Sequence, residues 1–277
     1  MREVWFNMNA QSKLDIVFLG SSGAITIPAF FCDCATCEAA RKDPTQQRTR
    51  ASVAILGKET TLIDAGPDLE FQLEREGIRR MDNIFITHWH YDHVWGLGAL
   101  GEPANIGDWP LIDVYGTDDV LAHFDSDVRY MRRVVEMHSI KTGDVIKLPD
   151  ATWRVVKTTH TDDSVGFVVD SGKKFAYLVD GIVPPPETIE HLHDIDMLIL
   201  EATMDFLDEE WKSFTMEEAI EFWKKMGSPE CILTHLSCHG WKDEKLVAGI
   251  TPQERQEVEE RNKGLKFAYD GMRIRFG

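Results

Sequence analysis

Short apolar runs, separated by polar and turn-forming residues, set the rhythm of this chain. Ile16-Val17-Phe18-Leu19, Val53-Ala54-Ile55-Leu56, Thr61-Leu62-Ile63 and Ile84-Phe85-Ile86 come first. Trp153 to Lys157, Val165 to Val169, Phe175 to Val179, Met197 to Leu200, Cys231 to Leu233 and Phe267 to Tyr269 follow over the rest of the length. Runs of this size, rich in β-branched and aliphatic residues, read as strands in both halves. Helices show their edges instead. Thr215 with Glu218 forms a capping box for a helix stopped at Gly227, and Thr251-Pro252-Gln253-Glu254 opens another that ends near Asn262. Asp68 to Glu76, closed by Gly77, and Thr117 to Phe124 predict two more in the first half. No Ser/Gly-rich linker or internal repeat divides these elements, so residues 1–277 read as one mixed α/β layered domain. Periodicity does not order the strands.

The chemistry begins where one strand ends. Thr87-His88-Trp89-His90-Tyr91-Asp92-His93 follows Ile84-Phe85-Ile86 directly and packs three imidazoles and a carboxylate into six residues. Imidazole nitrogen and carboxylate oxygen suit zinc, manganese or iron. On an extended backbone His88 and His90 point to one side and share one cation, while Asp92 and His93, past a turn, face a second. Without a cation, four such groups would repel one another or leave polar atoms unpaired. His160, Asp180 and His235 each follow another apolar run. Singly they read as ordinary loop residues, and Asp180-Gly181 as a turn; the histidine cluster is what promotes them to ligands.

With that set complete, the sequence resembles the metallo-β-lactamase superfamily, whose defining motif is matched by His88-x-His90-x-Asp92-His93 and whose upstream strand-end motif is matched by Leu62-Ile63-Asp64-Ala65-Gly66. The resemblance implies a four-layer αβ/βα sandwich. It implies one cation on His88, His90 and His160, a second on Asp92, His93 and His235, and Asp180 bridging the two. Asp92 and Asp180 become the catalytic carboxylates, with attack by a hydroxide shared between the cations. Asp64 becomes the residue that orients the histidine loop. A lactone, thioester or β-lactam is the alternative substrate on the same fold, because fold alone does not choose.

Cys32-Asp33-Cys34-Ala35-Thr36-Cys37 places three thiols close enough to share one ion, and tetrahedral zinc needs a fourth ligand. Cys238 and His239 both lie just past His235, and either could complete the site. Cys231, inside an apolar run, reads as a small core residue. This second motif narrows the resemblance to the phosphoribosyl cyclic phosphate phosphodiesterases of the carbon-phosphorus lyase pathway, with Gly20-Ser21-Ser22-Gly23, Thr234-His235-x-Ser237 and Asp270-Gly271-Met272 as further similarity. It implies a small, cyclic ribose phosphodiester as substrate. There are two departures. The family's fourth structural ligand is a His where this chain has Cys238, so the resemblance implies a zinc site of Cys32, Cys34, Cys37 and Cys238. After Met197 to Leu200 the family has a substrate-contacting His where this chain reads Glu201-Ala202-Thr203-Met204-Asp205. His239 is one candidate to replace that acid, and the substrate-binding residues are otherwise unassigned.

Charge then removes partners. The formal net charge is -17, from 47 acidic and 30 basic side chains, so the overall field repels a polyanion and favours a small substrate over nucleic acid. No apolar run approaches the roughly 20 residues of a membrane span, and Met1 to Ser12 does not pattern as a signal peptide. Reduced cysteines in a metal-binding pattern fit a cytoplasmic protein. The oligomeric state is open, a homodimer being one option. His123, His138, His191 and His193 receive no role, and Trp89, Tyr91 and Trp95 read as packing residues before pocket walls.

Overall fold

The computed structural model describes residues 13–101, 110–203, 213–242 and 245–277. Met1 to Ser12 and the Met204-Asp205 step of the sequence argument lie outside the described residues. The apolar runs become strands. In chain order these are β1 (Leu14–Gly20), β2 (Ser52–Leu56), β3 (Thr60–Ile63), β4 (Asn83–Phe85), β5 (Ile112–Gly116), β6 (Val135–Ser139), β7 (Val145–Lys147), β8 (Thr152–Lys157), β9 (Val165–Asp170), β10 (Lys174–Leu178), β11 (Met197–Glu201) and β12 (Glu230–Thr234). A short hairpin, β13 (His239–Lys242) and β14 (Lys245–Ala248), precedes β15 (Leu265–Phe267) and β16 (Arg273–Phe276). They pair as two seven-stranded sheets, ordered β16-β1-β2-β3-β4-β5-β6 and β15-β12-β11-β10-β9-β8-β7.

The run expected at Phe267 to Tyr269 is shifted: β15 starts at Leu265 and ends at Phe267. Past it the chain turns, with Met272 N donating to Tyr269 O at 2.9 Å and Gly271 at φ +85°, a backbone that favours glycine. The helices are α1 (Ala35–Lys42), α2 (Leu69–Glu76), α3 (Tyr91–Val94), α4 (Asp118–Asp127), α5 (Pro186–Ile189), α6 (Met216–Met226) and α7 (Pro252–Arg261). Thr215 and Thr251 form complete capping boxes, and Gly77 and Gly227 close α2 and α6 in the left-handed region.

Both sheets are buried on both faces, which is why their central strands are continuous apolar runs. Between the sheets, Ile16, Phe18, Val53 and Phe85 of the first meet Trp153, Phe167, Phe175 and Tyr177 of the second, with Phe85 stacked on Trp153 at 4.3 Å. Val17, Leu19, Leu62 and Ile84 face outward under Leu69 and Leu73 of α2 and Val120 and Phe124 of α4. On the far side Leu198, Leu200 and Leu233 pack under Ala219, Phe222 and Trp223 of α6. The architecture is the four-layer αβ/βα sandwich of the metallo-β-lactamase fold.

This topology collects one set of strand ends. β3 is parallel to β4, and β10, β11 and β12 are mutually parallel. β8 is antiparallel to β9, which is antiparallel to β10, so β8 and β10 run the same way. The two sheets are tied at this edge by Val165 N donating to Thr87 O at 3.0 Å and by a bridge between Ser22 and Leu236. No helix among the described residues is long and apolar enough to cross a membrane.

Candidate metal centre

Five strand ends supply the site. Asp64 follows β3, the His88 to His93 loop follows β4, His160 follows β8, Asp180 follows β10, and His235 follows β12. Three of these residues leave their strands through left-handed backbone: Asp64 at φ 63°, Asp180 at φ 60° and His235 at φ 54°. That conformation costs an L-residue about 1 to 2 kcal/mol. Strain of this kind concentrates at functional sites.

Asp64 is fully buried and holds the loop in place. Its Oδ1 accepts from Thr87 N at 2.8 Å and from Thr87 Oγ1 at 3.0 Å, while its Oδ2 lies 2.7 Å from His93 Nδ1. A proton on His93 Nδ1 leaves Nε2 as the free donor atom. Thr87 Oγ1 also reaches His88 Nδ1 at 2.9 Å.

The structure brings all seven donors together in two groups. His88, His90 and His160 place one nitrogen each within 4.8 Å of one another, and Asp92, His93, Asp180 and His235 do the same with four ligand atoms. Within the first group His90 Nδ1 lies 2.9 Å from His88 Nε2 and 3.1 Å from His160 Nε2. In the second, Asp92 Oδ2 lies 3.2 Å from His93 Nε2 and 3.3 Å from His235 Nε2. Asp180 joins them: its Oδ2 is 2.8 Å from His93 Nε2 and 3.4 Å from His88 Nε2, and its Oδ1 is 3.3 Å from His235 Nδ1.

Electrostatics follow from that crowding. Burial, then the neighbouring His93 charge, push His88 well below the ordinary imidazole value. For His235 burial opposes protonation, but the Asp180 and Asp92 carboxylates outweigh it and raise the value to about 9. His93 is raised in the same way, against burial, by Asp92, Asp64 and Asp180. Burial would raise Asp92 and Asp180, yet the surrounding histidines hold both below the usual carboxylate range. Without cations, protons are therefore held on His93 and His235 of the second group, while His88 of the first is kept neutral.

The donor set fits divalent cations on a further observation. His93 Nε2 is buried and, among the described residues, makes no aligned hydrogen bond, although two carboxylate oxygens are within 3.2 Å of it. Similarly, His88 and His160 both crowd one nitrogen of His90, which a single lone pair or proton cannot satisfy.

Cys32, Cys34, Cys37 and Cys238 also converge, their sulfurs all within 4.8 Å. Cys34 caps α1, and the group is laced to backbone amides: Ala29 N donates to Cys37 Sγ at 3.3 Å and Cys37 N to Cys34 Sγ at 3.5 Å. His239 Nδ1 lies 2.9 Å from Cys238 Sγ but 3.9 Å from Cys32 Sγ, at the margin of the sulfur group. Burial pushes the Cys37 thiol up to about 11, a cost that a bound cation would remove. Cys231 is a buried core residue apart from the group.

Two neighbours of the centre escaped the sequence reading. Glu201, fully buried, accepts from Gly181 N at 2.5 Å and from Thr203 Oγ1 at 2.9 Å, and Thr203 Oγ1 lies 3.1 Å from His235 Nδ1. Burial and the Asp180 charge raise Glu201 to about 8. The signal was present: Glu201 is a carboxylate at the end of an apolar run, as Asp180 nearly is. Trp89 stacks on His123 at 5.5 Å and packs outward, whereas Tyr91 and Trp95 are 47% and 56% exposed and touch each other.

A family model described as a beta-lactamase superfamily domain matches residues 59–236, a segment that contains Asp64, the histidine loop, His160, Asp180 and His235. The chain belongs to this superfamily. Over 92% of its length this superfamily member is 26% identical to half of a Porphyromonas gingivalis protein named octanoyltransferase. Over 58% of its length it is 28% identical to 38% of a ribonuclease Z from Thermosynechococcus vestitus. The chain spans half the length of the first relative, and its alignment covers less of the second. A crystal structure of a diphosphatase from the PhnP family superposes with a TM-score of 0.80 and 26% identity, over 95% of this chain and 97% of that one. The fold is thus that of the metallo-β-lactamase superfamily, and its His/Asp donors suit divalent cations.

Proposed function

We propose that this protein is a hydrolase that cleaves a small phosphodiester, with a cyclic ribose phosphate as the substrate class, at two divalent cations of zinc, manganese or iron. One would be held by His88, His90 and His160, the other by Asp92, His93 and His235, with Asp180 between them. The observation that carries the reading is this pair of donor groups sharing Asp180, on a fold matched over nearly its full length by a diphosphatase. Bound divalent cations polarise phosphoryl oxygens and make water acidic near neutral pH. The chain's own part is placement: Asp64 and Thr87 fix the loop, Asp64 sets the His93 tautomer, and Thr203 with Glu201 orient His235. A structural zinc on Cys32, Cys34, Cys37 and Cys238 would brace the segment from Gly20 to Pro28, where a Cβ on Gly23 would come within 3.1 Å of the His235 ring.

The net charge of -17 supports a small substrate over a polynucleotide, and the cysteine group supports a reducing, cytoplasmic location. One observation favours a second reading. The alignment with half of a protein named octanoyltransferase makes an acyl ester or thioester the rival, since the same centre can serve attack on a carbonyl carbon. The deciding assay supplies protein loaded with zinc, manganese or iron with bis(p-nitrophenyl) phosphate, ribose 1,2-cyclic phosphate, a transfer-RNA precursor, a lactone and an octanoyl thioester. Turnover of the phosphodiesters is expected to exceed that of the acyl compounds by orders of magnitude. Acyl turnover with inert phosphodiesters would replace this proposal with the rival.

A further inference from the structure

A guanidinium removed from water without a counter-charge opposes folding, so buried arginines ordinarily face carboxylates. Arg48 feels the charge of Asp270 and Arg255 that of Glu259, but only at a distance. Arg48, on the segment leading into β2, is 4% exposed, and Arg255, in α7, is 7% exposed. Among the described residues neither has a carboxylate within ion-pair distance. Arg48 Nη1 makes one long hydrogen bond, 3.4 Å, to Ser21 Oγ, and its buried Nε has no hydrogen-bond partner among the described residues. Among the described residues Arg255 donates to neutral oxygens, Ile250 O at 3.1 Å and Gln46 Oε1 at 2.7 Å.

The carboxylates nearby are engaged elsewhere. Asp270 accepts from Ser21, Thr49 and Arg75, and Glu259 Oε1 accepts from Phe267 N at 2.7 Å. Both arginines line a single cleft of about 420 Å³ between the Thr45 to Arg48 segment and α7. Lys266 adds a third cation to its wall and Glu259 the one carboxylate, in a protein whose net charge is -17. Burial, and then the charge of Arg48, pull Arg255 down to about 10, which still leaves it charged at neutral pH. The cleft shares no lining residue with the strand-end centre.

We propose that the cleft between Arg48 and Arg255 is a second ligand site, which binds a small phosphate-bearing molecule. A tetrahedral oxyanion would supply the missing acceptors for both guanidiniums, whose planar forks suit phosphate oxygens. The volume exceeds that of inorganic phosphate and leaves room for an attached sugar or similar group, with the exposed Tyr269 ring as one wall.

Two measurements test this on the metal-loaded protein. Crystals soaked in tungstate, a heavy phosphate analogue, are expected to show a peak between the two guanidiniums as well as at the metal centre. Calorimetric titration with inorganic phosphate is expected to show a binding event that Arg255→Gln weakens about tenfold or more and that Lys266→Gln, a surface change, weakens less. Hydrolysis by either variant at the strand-end centre should stay at the wild-type level. A cleft without tungstate, or identical phosphate isotherms for wild type, Arg255→Gln and Lys266→Gln, overturns the proposal. Should Arg255→Gln fail to fold, the soak and Lys266→Gln decide it.

Discussion

Asp64→Asn isolates the orienting role from the ligands themselves. Asparagine matches the volume of aspartate and tolerates left-handed backbone, so the turn at φ 63° survives. What changes is one atom's chemistry. The carboxylate accepts from Thr87 N at 2.8 Å on one oxygen and faces His93 Nδ1 at 2.7 Å with the other. An amide must turn its NH2 toward one of these two donors. A charge-assisted hydrogen bond contributes about 1.5 to 3 kcal/mol, and about 1.4 kcal/mol is a factor of ten. Loss of the His93 contact therefore predicts cation affinity lower by roughly 10 to 150-fold, in line with the cost of removing a partner that orients a ligating histidine. Competition with a chromophoric chelator measures this, with circular dichroism as the check on folding. The cysteine zinc should be untouched. A folded Asp64→Asn that takes up active-site cations within about threefold of wild type would refute the claim that Asp64 works through His93.

Further outcomes follow from the same geometry. His160→Ala should lose one equivalent of bound cation and at least about a hundredfold in turnover, read by elemental analysis and phosphodiester hydrolysis. Cys238→Ser should release the structural zinc and lower the melting temperature, because structural zinc contributes directly to folding; His239→Ala should keep its zinc, and the reverse result would exchange their roles. Removing the hydroxyl that links Glu201 to His235, by Thr203→Val, should reduce kcat about tenfold with the fold intact. Metal uptake should depend on pH with a definite sign. His235 is raised from near 6.5 to about 9, so in the metal-free protein its proton stabilises the fold fully below about 6.5 and this contribution fades as pH rises through about 9. Cations displace that proton, so their affinity should climb over the same window and binding at pH 7 should release protons, countable by calorimetry in buffers of different ionisation enthalpy.

Much of this site was legible in the sequence because strand ends and ligands coincide. Strands covered on both faces appear as unbroken apolar runs, and His88, His160, Asp180 and His235 each stand just beyond one. Strands nearer the sheet edges were missed for the complementary reason. β5 alternates Ile112, Asp113, Val114, Tyr115, with the even positions buried, and β6 and β16 mix charged and apolar residues, so none forms a continuous run. Strand order was hidden because it rests on pairings remote in the chain, such as Leu14 with Phe276. Glu201 and Thr203 were read only for the histidine absent among them, and no local pattern reveals that a hydroxyl at 203 meets an imidazole at 235. The left-handed turns at Asp64, Asp180 and His235 likewise have no sequence signature beyond residue types that tolerate them.

The cation donors are divided between the sheets: His88, His90, Asp92 and His93 come from the first half, and His160, Asp180 and His235 from the second. Yet β16, the last strand, crosses back to lie beside β1. The connection from β6 to β7 is a short exposed turn closed by Asp144 N donating to Lys141 O at 3.0 Å. A cut there would produce two fragments, each lacking part of both donor groups and each missing or carrying a piece of the other's sheet. Such fragments are complementary by construction, and a pair of divalent ions riveting their seam would make their reunion depend on metal concentration.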